Sequence, residues 1–176
     1  AKKIYSAKGR PSDNPLIVHI ADFADIKKIV EEVPDSARIL ADKFWPGPLT
    51  MILKKSAAVP DTTSGGLNTV AIRMPSNKIA LELIKASGGY IAAPSANTSG
   101  KPSPTMAEHV ASDLDGRIDM LIDGGEVGIG LESTIVDLTV DRPVILRPGA
   151  ITQQMLSDAI GEVLIDEALI KADSTV

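Results

Sequence analysis

Asn14-Pro15-Leu16-Ile17-Val18-His19-Ile20, followed at once by Asp22, reads as a short strand that turns into a helix. Proline bounds the run and aliphatic residues fill it, as in a strand with little exposed surface. Asp22 can cap a helix over 23–33, with Asp25 in its first turn, where a carboxylate meets the positive end of the helix dipole. Working outward, strand-like runs recur at 49–53, 69–74, 90–93, 118–122, 134–138 and 144–147. Helical stretches lie between several of them. Asp35 or Ser36 opens one that runs to Phe44 and stops at Pro46. Ser76 caps another through Lys85, ended by Gly88-Gly89. Thr105-x-x-Glu108 has the form of a capping box for a helix through Leu114. Thr152 caps a last one to Ile160, ended by Gly161. Two strand pairs are joined by loops alone, across 54–68 and across 139–143. The reading is an α/β fold whose sheet is mixed, not purely parallel.

The bulk numbers bound what this fold can do. At 176 residues the chain suits one domain with a full core. Its 44% hydrophobic and 23% charged content is that of an ordinary globule, and 3% aromatics means an aliphatic core with no base-stacking platform. A net charge of -5 argues against wholesale nucleic-acid binding, leaving room only for a local basic patch. With no cysteine there is no disulfide scaffold, thiol nucleophile or thiolate metal site, which is compatible with a cytoplasmic protein. No apolar run reaches membrane-spanning length. The opening Ala1-Lys2-Lys3-Ile4-Tyr5 reads as the end of a helix, and the closing Ser174-Thr175-Val176 carries no stop signal, so a piece of a longer protein is expected.

Two polar pairs stand out. Lys8-x-Arg10 offers two cations, and Ser95-x-Asn97 offers a hydroxyl and an amide; in extended backbone a spacing of two puts both members on one face. Arg73 and Arg147 each close an apolar strand, where a guanidinium is costly to bury without an anion, whether an internal carboxylate or a substrate. His19 ends its strand as either a core histidine or a group that orients a polar ligand. Trp45 in Phe44-Trp45-Pro46-Gly47-Pro48 reads as a core anchor. Glu132-Ser133-Thr134 is either a simple strand entry or a source of hydroxyls. There is no phosphate-binding Gly-x-x-x-x-Gly-Lys loop, and Gly128-Ile129-Gly130 precedes a strand instead of opening a helix. His19 and His109 have no metal-ligand spacing. The residues alone support a small anionic ligand held by Lys8, Arg10, Arg73 and Arg147, with Ser95, Asn97 and Ser133 adding neutral hydrogen bonds.

Six motifs occur in an order that resembles the YrdC-type threonylcarbamoyl-AMP synthase family: Lys8-Gly9-Arg10-Pro11 through His19, Phe44 through Thr50, Val70 through Pro75, Ala93-Pro94-Ser95-Ala96-Asn97-Thr98-Ser99-Gly100, Glu132 through Asp137, and Ile145 through Ala150. The resemblance implies an open, twisted α/β sheet around a basic cavity, over residues 1–165, with 166–176 as tail or linker. It implies synthesis of threonylcarbamoyl-adenylate and pyrophosphate from L-threonine, bicarbonate and ATP, with Mg²⁺ carried by the nucleotide. A separate transferase would then modify tRNA. It assigns ATP to Lys8, Arg10, Ser95, Asn97 and Arg147, with Lys8 and Arg10 catalytic, and threonine to His19, Arg73 and Ser133, with no protein metal site. The family's opening strand and its Pro-Thr-Glu-Thr-Val-Tyr-Gly-Leu motif have no counterpart here. The expectation is an exposed sheet edge and weakened activity for this chain alone. Two other readings stand beside the enzyme: an RNA-binding module, with weak RNA affinity, and a non-catalytic nucleotide sensor.

Overall fold

Alternation along each strand decides which side of the sheet is filled. The computed structural model describes residues 1–173, and in it β1 (Ile17–Ile20) buries Val18 and Ile20 while Ile17 and His19 turn to the other side. Before it lies α1 (Lys2–Lys8), ended by Gly9 in the left-handed region. After it come a 3-10 turn (Phe23–Asp25), α2 (Ile26–Ile29), α3 (Asp35–Phe44), β2 (Leu49–Lys54), α4 (Asp61–Ser64), β3 (Thr69–Arg73), α5 (Lys78–Ala86), β4 (Tyr90–Ala93) and α6 (Ala107–Leu114). The chain continues through β5 (Thr134–Asp137), β6 (Val144–Arg147), α7 (Gln153–Ile160), β7 (Leu164–Ile165) and α8 (Glu167–Asp173). The strands form one sheet in the order β4-β1-β3-β2-β5-β6-β7. Its pairings alternate between parallel and antiparallel, so the mixed sheet and the single α/β domain are as expected.

One face of the sheet carries the core. Val18, Ile20, Met51, Leu53, Val70, Ile72, Val136 and Ile145 meet Ile26, Ile29, Ala37, Leu40 and Leu156 from α2, α3 and α7. Trp45 anchors the passage from α3 to β2: its indole Nε1 donates to the Leu49 carbonyl at 2.7 Å, and its ring stands edge-on to Phe23. The Trp45–Pro46 peptide is cis.

The local expectations fail in four places. The helix expected over 23–33 breaks at Val30, because Val30 bridges to Lys55 and the Glu31 N–H donates to the Lys54 carbonyl; the end of β2 takes those backbone groups. No strand forms over 118–122. That segment has no place in the sheet, and Met120 and Ile122 are 76% and 52% exposed. The Thr105 capping box does not form: α6 begins after Met106 with no side-chain cap, and the Thr105 N–H donates instead to His109 Nδ1 at 3.4 Å. Asn77, not Ser76, caps α5, accepting from the Ala80 N–H at 3.0 Å. Three short elements, α4, β7 and α8, are too brief to show a period. α8 occupies most of the stretch expected as a tail, and residues 174–176 lie outside the described residues.

Candidate functional site

The sheet face opposite the core is the floor of a cavity of about 400 Å³. Register places Ile17 beside Ala71 and Ala93, His19 beside Arg73, Ile52 beside Ala71, and Ile135 beside Arg147. All of these residues line the cavity. The walls are loops: Arg10 with Asn14, Pro94-Ser95, Ser103-Pro104-Thr105, and 130–133. A concave site of this size, with a few convergent polar groups on a rigid floor, is suited to a small ligand.

Its electrostatics are lopsided. Arg10 Nη2 donates to Asn14 Oδ1 at 2.6 Å and to the Pro15 carbonyl at 3.0 Å. Arg73 Nε donates to the Gly47 carbonyl at 3.2 Å. Arg147 donates through Nε and Nη2 to the Ser133 carbonyl, at 3.0 and 2.8 Å, and pairs with Glu132 at 2.7 Å. Burial, then the nearby Arg147, pulls the Arg73 pKa below its ordinary value; burial does the same to Arg147, against the opposing pull of Glu132. A guanidinium does not give up its proton in a protein, so the strain becomes a demand for an anion. Among the described lining residues Glu132 supplies the only carboxylate, and it also accepts from Ser103 Oγ at 2.8 Å.

His19 is the counterweight. Burial first, and Arg73 second, lowers its pKa to about 4, so the imidazole is neutral at neutral pH. Nδ1 lies 3.1 Å from the Ile17 carbonyl, and because a carbonyl only accepts, the neutral ring carries its proton on Nδ1.

Ser133 is held from three sides. It is fully buried, its hydroxyl lies 2.7 Å from Thr50 Oγ1, and it accepts from Arg147 Nη2 at 2.9 Å. Next to it, Thr134 Oγ1 donates to the Ile151 carbonyl at 2.7 Å. Gly149 lets the turn after β6 lie against this segment: a Cβ there would come within 2.5 Å of the Glu132 carbonyl oxygen and 2.6 Å of the Thr134 nitrogen.

Of the residues expected at the site, Arg10, His19, Arg73, Ser95, Ser133 and Arg147 line the cavity. Lys8 and Asn97 stand behind the wall. The Lys8 ammonium donates to the carbonyls of Ser95 and Asn97. Asn97 Nδ2 donates to the carbonyls of Thr98 and Lys101, at 2.9 and 2.7 Å, while among the described residues its buried Oδ1 accepts from no donor. Sequence reasoning missed Asn14, Ser103 and Thr105 as wall residues and gave Glu132 no role of its own. It also missed Asp113, which braces the loop after Asn97. Only the last had a signal, as a carboxylate in the last turn of a helix, where the dipole disfavours it.

The family described as Telomere recombination, comprising Sua5, YciO and YrdC, matches residues 1–149, which span every site residue from Lys8 to Arg147. The chain belongs to this family. Among relatives of this Sua5/YciO/YrdC domain, the threonylcarbamoyl-AMP synthase of Pyrococcus abyssi is 55% identical over 96% of the chain, and that of Bacillus subtilis 56% identical over 96%. The chain covers 49% of each, so it spans about half the length of the curated relatives it matches. The crystal structure of P. abyssi Sua5 complexed with L-threonine matches at a TM-score of 0.93 and 55% identity, over 96% of this chain and 50% of that one.

Proposed function

We propose that the cavity binds ATP and L-threonine, and that the protein forms L-threonylcarbamoyladenylate and pyrophosphate from L-threonine, bicarbonate and ATP. The carrying observation is the convergence of Arg10, Arg73 and Arg147 on one cavity with a single carboxylate to oppose them. The names of the relatives and the threonine complex of the P. abyssi protein support the same reading. In the reaction, the threonine amine and bicarbonate combine to a carbamate with loss of water. A carbamate oxygen attacks the α-phosphorus of ATP, the bond to the β-phosphate bridging oxygen breaks, and pyrophosphate leaves. Such transfers depend chiefly on positioning and charge neutralisation. Arg10, Arg147 and Ser95 face the phosphates, with Lys8 and Asn97 behind them. Arg73 takes the threonine carboxylate, neutral His19 accepts from its amine or hydroxyl, and Ser133 orients Arg147.

Mg²⁺ fits this site as a companion of the nucleotide. Among the described residues no cluster of three metal-ligating side chains occurs, and Glu132 alone reaches the cavity as a carboxylate. A metal held mainly by phosphates and water needs no more. On this reading residues 1–165 act as one unit, the adenylate passes to a transferase that modifies tRNA in the cytoplasm, and no helix among the described residues is long and apolar enough to cross a membrane.

The test is pyrophosphate release with ATP, threonine and bicarbonate omitted in turn. Release that requires all three is expected. Release independent of threonine would overturn the reading, and tight ATP binding without release would favour a nucleotide sensor.

A further inference from the structure

Lys8 is nearly inaccessible, at 6% exposure, and is absent from the cavity wall. Its ammonium donates to the Ser95 and Asn97 carbonyls, and its own carbonyl accepts from the Ser99 N–H at 2.9 Å. The C-terminal end of α1 therefore grips the 95–99 loop at three points. The loop is gripped from the other side as well. Asp113, on α6, accepts from the Thr98 N–H at 3.1 Å and from the Thr98 hydroxyl at 3.2 Å, and pairs with Lys101 at 2.5 Å. The peptide joining Asn97 to Thr98 thus has its carbonyl on a cation and its N–H on an anion.

A trans peptide points its carbonyl and N–H in opposite directions. Holding the Ser95 carbonyl on Lys8 therefore turns the Ala96 N–H away from Lys8. Among the described residues, the N–H groups of Ser95, Ala96 and Asn97 donate to no protein group. Free N–H groups in succession suit an anion, whereas carbonyl oxygens turned the same way would repel it. Ser95 is itself part of the cavity wall.

We propose that Lys8 and Asp113 are a positioning pair: they clamp the peptides of 95–98 so that the loop presents donors, not carbonyls, to the anion in the cavity, and Lys8 does not touch that anion. The proposal deepens the ATP-binding reading above and rests on it. Arg10, two residues away, is the contrasting case, because it does line the cavity. The lowered pKa of Lys8, due first to burial and then to Arg10, accords with an enclosed ammonium.

The experiment compares Lys8→Met, Asp113→Ala and Arg10→Met with the unaltered protein. In the ligand-free state, amide exchange at Thr98 and Ser99 rises about tenfold or more in Lys8→Met and Asp113→Ala, and stays unchanged in Arg10→Met. ATP affinity falls in all three, but its dependence on salt flattens only in Arg10→Met, where a phosphate contact is lost. Unchanged exchange in Lys8→Met, with a salt dependence flattened as in Arg10→Met, would overturn the proposal. Should Lys8→Met fail to fold, ¹⁵N NMR of the unaltered protein decides. A slowly exchanging Lys8 ammonium that saturating ATP leaves nearly unshifted supports positioning; one that orders or shifts only with ATP overturns it. If the unaltered protein binds no ATP, the proposed function fails, while the ligand-free measurements still decide what Lys8 holds.

Discussion

His19 ties the site to pH. Unfolded, its imidazole titrates near 6.5, and in the folded protein burial and Arg73 lower that to about 4. Between the two values the unfolded chain binds the proton and the folded one does not. Stability attributable to His19 is thus complete above pH 6.5 and falls as the pH drops toward 4, by about 3 kcal/mol at full extent. His19→Gln removes this contribution, so its urea midpoints should change less than those of the unaltered protein across that window. An identical slope would show that the imidazole is not held neutral. Gly149 makes a steric prediction. Gly149→Ala drives a methyl into the backbone at Glu132 and Thr134, which costs about 1–3 kcal/mol in thermal unfolding and displaces Ser133 from Arg147. Arg73 makes a chemical one. Arg73→Ala should raise the threonine KM at least about tenfold, as loss of a charge-assisted contact does, while the ATP KM changes little. An unchanged threonine requirement would end the carboxylate assignment.

At the scale of elements, stability and function separate cleanly. α7 lies on the core face, packs through Leu156, and is capped by Thr152 Oγ1, which accepts from the Met155 N–H at 3.2 Å. Thr152→Ala should cost about 1 kcal/mol in denaturant unfolding and leave ATP affinity untouched, because nothing from α7 reaches the cavity. A large loss of affinity would mean that α7 and the 132–134 segment move together through Ile151, whose carbonyl holds Thr134. The strands carry the opposite responsibility. β1, β3 and β5 each spend one side on the core, with Val18, Val70 and Val136, and the other on the cavity, with His19, Arg73 and Ile135, so a one-residue slip in any of them would exchange a core side chain for a cavity one.

Across the whole molecule, a net charge of -5 coexists with a cavity edged by three guanidiniums. The distant acidic surface is screened by salt, whereas the cavity is partly desolvated and keeps its field. A compact anion that fits the cavity therefore gains, and a long polyanion meets net repulsion outside it. ATP at a hundredfold excess over its Kd should stabilise the protein by about 2.7 kcal/mol in thermal unfolding, and an RNA oligonucleotide should give no comparable shift at about 0.15 M salt. Equal stabilisation by RNA would favour the RNA-binding reading.

Amino-acid order alone was enough to determine the mixed α/β class, the bounds of β4 and β6, the Thr152 cap and the Trp45 anchor, because each rests on contacts close in sequence or on the period of a strand. It also marked Arg73 and Arg147 as guanidiniums in need of anions, since an arginine at the end of an apolar strand is costly wherever the strand lies. Tertiary structure decided the rest. The run 118–122 has the composition of a strand, but among the described residues no neighbouring strand pairs with it. The helix after Asp22 ends early because β2, more than twenty residues on, takes its backbone groups. Lys8 and Arg10 look equivalent at a spacing of two, yet one faces the cavity and the other grips the loop behind it. Which way a side chain turns from its backbone depends on what packs against it, and the partners of Lys8, the Ser95 and Asn97 carbonyls, lie 87 and 89 residues further along the chain.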